Sequence, residues 1–186
     1  MESRTVKRKK NTKKLILDTA IELFIEKRSG NVTFDDIANR ADLARRTVFN
    51  HFKTKEELIY ESAGPILSNG ICVLKLIEKK NKIILNDVFD LCLELWGEFG
   101  RNLYLLYSVS FEESERLKKL HHEYIELYRK IFKNVSDLPK GLSEMSDVIS
   151  SVVYKSFVPI LASIYEIEDY QMKFRNCMKG LIKGLV

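Results

Sequence analysis

The feature that most constrains this chain is the segment from Thr33 to Leu58, where two short helical patterns are separated by a three-residue interruption. Thr33 and Asp36 form a T-x-x-D capping box, which starts the first pattern. Thr54 and Glu57 form a T-x-x-E box, which starts a third helix directly after the second pattern. A short helix, a tight turn and a second short helix are the arrangement that places a recognition helix in the DNA major groove. The segment therefore predicts a DNA-binding motif.

The second helical pattern, from Arg45 to Phe52, divides into an inward and an outward face. Its spacing predicts that Val48 and Phe52 point inward and pack against the first helix of the motif. The outward residues are polar or basic, and they are Arg45, Arg46, Thr47, Asn50 and His51. Polar and cationic side chains on the exposed face of a recognition helix are the groups that contact bases and phosphates.

Arg45 is the first choice for base reading, because its planar fork can donate to O6 and N7 of guanine together. Arg46 is expected to share that role or to bind phosphate. Asn50 can read adenine, and a phosphate contact is an equal alternative for it. The amide groups at the start of the helix that follows Thr54 form a further expected phosphate site.

The residues also carry a family resemblance. The order Thr33, Ile37-Ala38, Ala41, Leu43, Thr47, Val48-Phe49, His51-Phe52, Lys55 and Leu58 resembles the N-terminal DNA-binding domain of the TetR (tetracycline-repressor-like) family. The close resemblance covers residues 12–60. It implies an all-α fold with a three-helix helix-turn-helix domain in residues 1–55 and a helical ligand-binding and dimerisation domain in residues 56–186. It also implies that Thr47, His51 and Lys55 grip the DNA backbone, and Thr33 belongs to the same predicted DNA-binding set.

Three positions depart from the family pattern. Asp42 stands where the family commonly has Gly in the turn, and Asp can adopt the left-handed conformation at some cost. Ala44 replaces the usual Ser or Thr cap of the recognition helix, a loss of about 1 kcal/mol. Phe49 stands where a Tyr hydroxyl often reaches phosphate, so that contact is expected to be missing.

The first eleven residues read as a flexible basic arm, followed by a helix that Asn11 or Thr12 caps and that ends near Arg28, with Gly30 as a left-handed terminus. The arm is expected to add phosphate or minor-groove contacts. Its predicted contact residues are Lys7, Arg8, Lys9 and Lys10. A solvated tail without groove contacts is the alternative.

Charge is distributed unevenly along the chain. Residues 1–60 hold 14 Lys and Arg against 9 Asp and Glu, whereas residues 61–186 hold 17 of each kind. The whole net charge of +5 therefore lies on the segment with the helix-turn-helix pattern, which favours a polyanionic partner for that segment. No apolar run approaches the roughly 20 residues that span a bilayer. Three widely spaced cysteines favour a reducing compartment, so the cytoplasm is the expected location.

The remaining two thirds of the chain read as amphipathic helices. Seven aromatic residues are candidates to line a pocket for a small apolar or neutral effector, as the resemblance implies: Trp96, Phe99, Tyr104, Tyr107, Tyr124, Tyr128 and Phe157. Simple core packing is the alternative for each of them. The last two helices carry wide apolar faces and are expected to form the homodimer interface, although those faces could instead be intramolecular core.

The resemblance implies a ligand-released repressor that binds a palindromic operator as a dimer. Gly64 and Pro65 predict a bend or break near residues 63–66 of the helix that would transmit the ligand signal. The alternatives are a thiol-redox-responsive regulator that uses Cys72, Cys92 or Cys177, and a nonspecific nucleoid-associated protein. An enzyme is not expected, because the sequence holds three histidines and no Gly-rich phosphate loop, C-x-x-C pair or nucleophile elbow. No cofactor and no metal are expected.

Overall fold

The computed structural model describes residues 3–138 and 141–185, and within them the chain is arranged as α-helices joined by turns and short 3-10 segments. The all-α fold class predicted from the sequence is confirmed. The α-helices are α1 (Arg4–Lys27), α2 (Phe34–Arg40), α3 (Arg45–His51), α4 (Lys55–Glu78), α5 (Leu85–Phe99), α6 (Leu105–Ser108), α7 (Glu115–Lys133), α8 (Ser146–Ile164) and α9 (Tyr170–Lys183). The 3-10 segments are Ser29–Asn31, Gly100–Tyr104, Phe111–Glu113 and Ser143–Met145.

The N-terminal basic segment is helical, so the expectation of a flexible arm is wrong for its described part. α1 begins at Arg4, and the Ser3 hydroxyl caps it by accepting from the amide of Val6 at 3.4 Å. The physical reason is that Lys and Arg are good helix formers and residues 4–11 contain no Gly or Pro. At the other end of α1, the left-handed residue is Arg28 (φ 64°) and not Gly30, which lies in a 3-10 segment.

Of the bend or break expected near residues 63–66, the break is absent, because α4 continues from Lys55 to Glu78 with Pro65 inside it, and the bend stays a prediction. Proline removes one backbone donor and clashes with the preceding turn, yet packing can hold the helix together across it. Ala63 and Leu67, on either side of Pro65, are fully buried, while Pro65 itself is exposed. Burial of the neighbouring residues therefore outweighs the local preference of proline for a helix end.

The chain divides into two compact units, and the division differs from the predicted boundary at residue 55. The first unit contains the described residues up to Pro65 together with Tyr104–Leu120. The second contains Ile66–Leu103 and the described residues from His121 onward. The difference arises because the first helices pack against a segment that is distant in sequence.

In the first unit, α1 provides the surface on which the other elements pack. α1 contacts α2 and α6, and α2 contacts α3. The interior of this unit is apolar and fully enclosed, and its largest buried side chains include Ile16, Leu23, Phe24, Ile37, Phe52, Leu58 and Ile59. Burial of this size stabilises a three-helix motif that its short helices could not maintain alone.

In the second unit, α5, α8 and α9 pack against one another. The rings of Phe89 and Phe174 meet edge to face at 6.1 Å, and Phe157 and Met178 are buried beside the same helices. The stretch Ser143–Ile164, which includes α8, has a mean hydropathy of 1.4 and is long and apolar enough to cross a membrane by length and composition alone. This corrects the expectation that no such stretch exists.

Candidate nucleic-acid interface

The capping box that starts α2 is formed as predicted. The amide of Asp36 donates to the Thr33 hydroxyl at 3.2 Å, and the amide of Thr33 donates to the Asp36 carboxylate at 2.8 Å. The Thr33 hydroxyl also donates to the same carboxylate at 2.5 Å. These bonds lower the pKa of Asp36 below its usual value, so that the carboxylate remains charged at the positive end of the helix. The Thr33 side chain thus caps α2, and its DNA contact stays a prediction.

The second capping box is formed in part. The Thr54 hydroxyl accepts from the amide of Glu57 at 3.1 Å, as the sequence predicts. The Glu57 carboxylate accepts from the amide of Lys53 at 2.9 Å, one residue earlier than a standard box requires. The Thr54 hydroxyl thus caps the N-terminus of α4, and the Glu57 carboxylate binds the residue before the cap. Together these two bonds fix the position at which α3 leads into α4.

The turn between α2 and α3 has the strained geometry that the sequence predicts. Asp42 adopts a left-handed conformation (φ 51°), and the amide of Leu43 donates to the carbonyl of Ala38 at 2.9 Å. Ala44 stands at the N-cap of α3 and makes no side-chain capping bond there. The motif is thus held by backbone bonds and buried side chains, without the hydroxyl cap.

The two faces of α3 are separated as predicted. Val48 and Phe52 are fully buried. Arg45, Arg46 and Asn50 are exposed, and Thr47 and His51 are half-buried. The helix therefore presents two guanidinium groups and one amide to solvent, with a hydroxyl and an imidazole at their margin.

Arg45 has two partners that the sequence reasoning missed. Its Nη1 lies 3.0 Å from Oδ2 of Asp35 on α2, and its guanidinium lies 5.3 Å from the ring centroid of Phe49. The Phe49 ring meets Phe34 edge to face at 4.7 Å. Two features of the sequence could have indicated these contacts. Arg45 and Phe49 are spaced i, i+4, which places them on one helix face. Asp35 is a second acidic residue directly before Asp36, which is used for capping.

Lys55 is paired with an acidic residue from the distant part of the first unit. Its Nζ lies 3.0 Å from Oε2 of Glu113, and Oε1 of Glu113 accepts from the Ser29 hydroxyl at 2.7 Å. The Ser29 oxygen accepts in turn from the amide of Ser110 at 3.0 Å. The predicted phosphate contact of Lys55 thus comes from an ammonium that already has a carboxylate partner. No sequence pattern relates these residues, since 84 positions separate Ser29 from Glu113.

The predicted arm residues Lys7, Arg8, Lys9 and Lys10 all lie on the exposed first turns of α1. The pKa of His51 is lowered from its usual value near 6.5, first by burial and then by the positive charges of Lys9 and Lys13. His51 is therefore neutral at pH 7 and can offer one donor and one acceptor. Lys13 is paired within the first unit, because its Nζ lies 2.6 Å from Glu61 and 5.2 Å from the Phe52 ring centroid.

The predicted pocket residues are distributed over the two units, and their lining of a ligand pocket stays a prediction. Tyr104 and Tyr107 belong to the first unit, where their rings lie 6.3 Å apart. The others belong to the second, where Tyr124 and Tyr128 stack at 5.8 Å and Trp96 contacts Tyr165 at 5.5 Å. A groove of about 550 Å³ in the second unit is lined instead by largely charged residues: His122, Glu123, Glu126, Leu127, Arg129, Lys130, Lys133 and Asp147.

The three cysteines differ in accessibility. Cys92 is buried, which raises the pKa of its thiol well above the usual value and disfavours the reactive thiolate. Cys72 and Cys177, the other two candidates of the thiol alternative, are exposed. Among the described residues, His, Cys, Asp and Glu form no group of three or more that could hold a metal ion.

Comparison with known proteins relates both the motif and the fold to one group of regulators. Residues 16–61 match the family described as bacterial regulatory proteins, tetR family. A putative mycofactocin biosynthesis transcriptional regulator of Mycobacterium tuberculosis, MftR, is 42% identical over 57 residues, which are 31% of this chain and 29% of that protein. The aligned segment thus spans under a third of that relative.

Two solved structures share the fold over nearly the whole chain. NalD, the secondary repressor of the MexAB-OprM multidrug efflux pump in Pseudomonas aeruginosa, aligns with a TM-score of 0.61 at 17% identity, covering 96% of this chain and 97% of NalD. A regulatory protein of the tetR family from Rhodococcus RHA1 aligns with a TM-score of 0.62 at 15% identity, covering 92% and 95%. Residues 16–61 therefore form a helix-turn-helix segment of the tetR family of bacterial regulatory proteins, in a chain that shares the fold of these two regulators.

Proposed function

We propose that this regulator represses transcription by binding a palindromic operator as a homodimer and that a small molecule releases it. The observation that carries the proposal is the arrangement of α3, whose inward residues are fully buried while Arg45, Arg46 and Asn50 face solvent. A helix fixed in this way can enter the major groove with its polar face towards the bases. The surplus positive charge of residues 1–60 would provide the sequence-independent attraction to phosphates.

Each predicted DNA contact has a role within this proposal. Arg45, with Arg46 and Asn50 beside it, would read base edges. Thr47, His51 and Lys55 would bind the phosphate backbone, and Thr33 would lie at the edge of the same surface. The exposed cations of α1 at positions 7–10 would add phosphate contacts. These cations are fixed on a helix, so they would approach the DNA in a defined direction and not as a mobile tail.

The dimer interface is proposed to involve α8 and α9. Several residues on the apolar faces of these two helices are buried within the chain and form its own core: Phe157, Leu161, Phe174, Met178 and Ile182. Other apolar residues of this region remain exposed in the chain: Val148, Tyr165, Ile167, Met172 and Leu181. Exposed apolar side chains on adjoining helices are the kind of surface that a second copy can cover. A two-fold dimer formed in this way would bind two DNA half-sites. The proposed location of the dimer is the cytoplasm.

Release by an effector is proposed from the architecture of the two units. α4 and α7 each begin in the first unit and end in the second, so each helix is shared between them. A small apolar or neutral molecule that binds the second unit more tightly in one pose of α4 would shift the population of that pose. The proposed ligand contacts include the stacked Tyr124 and Tyr128, whose rings also lie beside Tyr154.

The test is protection of genomic DNA fragments, including the DNA that flanks the gene for this chain, at two salt concentrations. A discrete palindromic footprint that survives moderate salt would support the proposal. Diffuse binding that is lost at moderate salt would contradict it and favour the nonspecific alternative. The same footprint measured with and without reductant tests the thiol alternative, in which oxidation of Cys72 or Cys177 would change protection.

A further inference from the structure

We infer that Asp35 is a positioning residue for sequence reading: together with Phe49, it holds the Arg45 guanidinium in the orientation in which that group reads a base pair. This inference rests on the proposed DNA-binding function and adds a determinant of its specificity. The observation behind it is that Arg45, the residue first proposed to read bases, contacts the Asp35 carboxylate of α2 and the Phe49 ring of its own helix, α3.

The two acidic residues in the first turn of α2 have separate tasks. Asp36 accepts from the backbone and hydroxyl of Thr33 and so completes the cap of α2. Asp35 takes no part in that cap and instead lies 3.0 Å from Arg45 at the start of α3. Since α2 and α3 pack directly against each other, this contact links the supporting helix of the motif to the reading helix.

The ring of Phe49 fixes the guanidinium from a second direction. Phe49 follows Arg45 by four residues, so its side chain lies on the same face one helical turn later. The edge-to-face contact with Phe34, which is 9% exposed, restrains the ring in turn. Arg45 is thus contacted by an ion pair with Asp35 and by a cation–π partner, Phe49, whose ring is itself restrained.

This arrangement is suited to reading a base. A guanidinium carries five N–H donors in one plane, and the contact with Asp35 uses Nη1. Donors on Nη2 and Nε can still be directed at the O6 and N7 acceptors of guanine. An arginine that is ordered before binding loses less conformational freedom when it contacts the base, so its discrimination between bases is sharper.

Folding stability does not account for the contact. The side chains of Arg45 and Asp35 are 63% and 53% exposed, and exposed ion pairs contribute little to stability. A carboxylate beside a DNA-reading helix also repels phosphate. The two possible roles of Asp35 therefore predict different results. If Asp35 only repels phosphate, removal of its charge raises all DNA affinities equally. If it positions Arg45, removal of its charge lowers the discrimination between bases.

The experiment begins with selection of binding sites from randomised duplexes by the full-length wild-type protein. The base pair read by Arg45 is then identified as the one at which Arg45→Ala loses its preference. Affinities for the selected site and for the site changed at that base pair are measured for wild type, Asp35→Asn, Phe49→Leu and Asp42→Asn. The last variant is the matched control, since it removes the same charge from the same motif and Asn tolerates the left-handed conformation of residue 42.

We expect Asp35→Asn and Phe49→Leu to reduce discrimination at that base pair by about threefold to tenfold, while Asp42→Asn leaves it unchanged. In the Arg45→Ala background, Asp35→Asn should have no further effect on base preference. Equal discrimination by Asp35→Asn and Asp42→Asn would overturn the positioning role alone. Failure of the wild type to select any motif would overturn the proposed function and this inference with it.

Discussion

The two compact units carry different net charges and use their ion pairs differently. The first holds 17 Lys and Arg against 13 Asp and Glu, and the second holds 14 against 13. In the second unit, ion pairs such as Lys75 with Glu123 at 2.7 Å and Lys130 with Glu78 at 2.6 Å connect α4 to α7. In the first unit, carboxylates contact Arg45 and Lys55, which are also residues that the proposed DNA contact requires.

The difference shows that one kind of bond can have two consequences. In the nearly neutral unit, a carboxylate and an ammonium join two helices, and nothing in the proposed function displaces either partner. In the basic unit, the carboxylates hold cations that a phosphate or a base would also attract. Substitutions at these ion pairs should therefore change DNA binding in the first unit and leave it unchanged in the second.

The largest effect on DNA binding is expected from Arg45→Ala. Loss of a bidentate base contact should weaken binding to the selected site by about 10-fold to 100-fold, with a much smaller change on unrelated DNA. Fluorescence anisotropy with both duplexes at one salt concentration measures this ratio. Lys75→Ala in the second unit is the control and should leave both affinities unchanged. An equal loss on both duplexes would contradict base reading by Arg45.

The largest effect on stability is expected from Gly70→Ala in the second unit. A Cβ at Gly70 would lie 2.5 Å from the Tyr124 ring, which is 2% exposed and stacked on Tyr128. The free energy of unfolding should fall by about 1–3 kcal/mol, because the ring cannot move away without disturbing its own contacts. Chemical denaturation measures the change.

Gly64→Ala in the same helix provides the control for that substitution. A Cβ there would lie 3.5 Å from Tyr60, an ordinary contact distance. Because Ala favours the helix over Gly, stability should rise by about 0.5–1 kcal/mol. Similar destabilisation by both substitutions would show that the approach of Tyr124 to Gly70 is not the cause.

Glu113→Gln is expected to strengthen DNA binding, an effect smaller than that of Arg45→Ala and opposite in direction. The change removes a negative charge and frees the Lys55 ammonium for phosphate, so affinity for DNA should rise by about threefold to tenfold at low salt. The slope of log affinity against log salt should steepen by about one ion. Glu112→Gln is the control, since Glu112 pairs with Lys118 and not with Lys55. An unchanged slope would show that Lys55 contacts no phosphate.

The smallest effect is the pH dependence that His51 confers. Burial and the charges of Lys9 and Lys13 keep the pKa of His51 below 6.5 in the free protein, so the ring is neutral at pH 7. Phosphate near the ring would raise that pKa, and DNA binding would then take up a proton. Affinity should therefore rise about twofold to fourfold as pH falls from 7 to 5.5. His51→Gln should remove this rise, and its persistence in the variant would assign it to another group.

The sequence predicts the parts of the candidate site that depend on near neighbours. Thr33 and Asp36 are three residues apart, and the left-handed turn at Asp42 and the burial of Val48 and Phe52 follow from local spacing. Such contacts depend on φ and ψ and on helical period, which the sequence encodes directly. The motif was therefore predicted almost residue by residue.

Contacts across the fold were missed for a physical reason. The pairing of Glu113 with Lys55 and Ser29 depends on how α1 packs against α6, and no local pattern determines that packing. Pro65 does not end α4, because burial of its neighbours outweighs its intrinsic preference for a helix end. The basic start of α1 was read as flexible from its charge, although its residues favour a helix. Long-range packing decided the first two of these outcomes, and local helix propensity decided the third.

The composite nature of the first unit has a consequence for protein synthesis. Its α1, α2 and α3 leave the ribosome well before Tyr104–Leu120, and at about 5–20 residues per second the delay is several seconds. During that interval, Ser29 and Lys55 lack Glu113, and α1 lacks the cover of α6. The nascent chain must therefore carry an unfinished, strongly basic motif while residues 66–103 of the other unit are translated, so this unit can be completed only after residue 120 has left the ribosome.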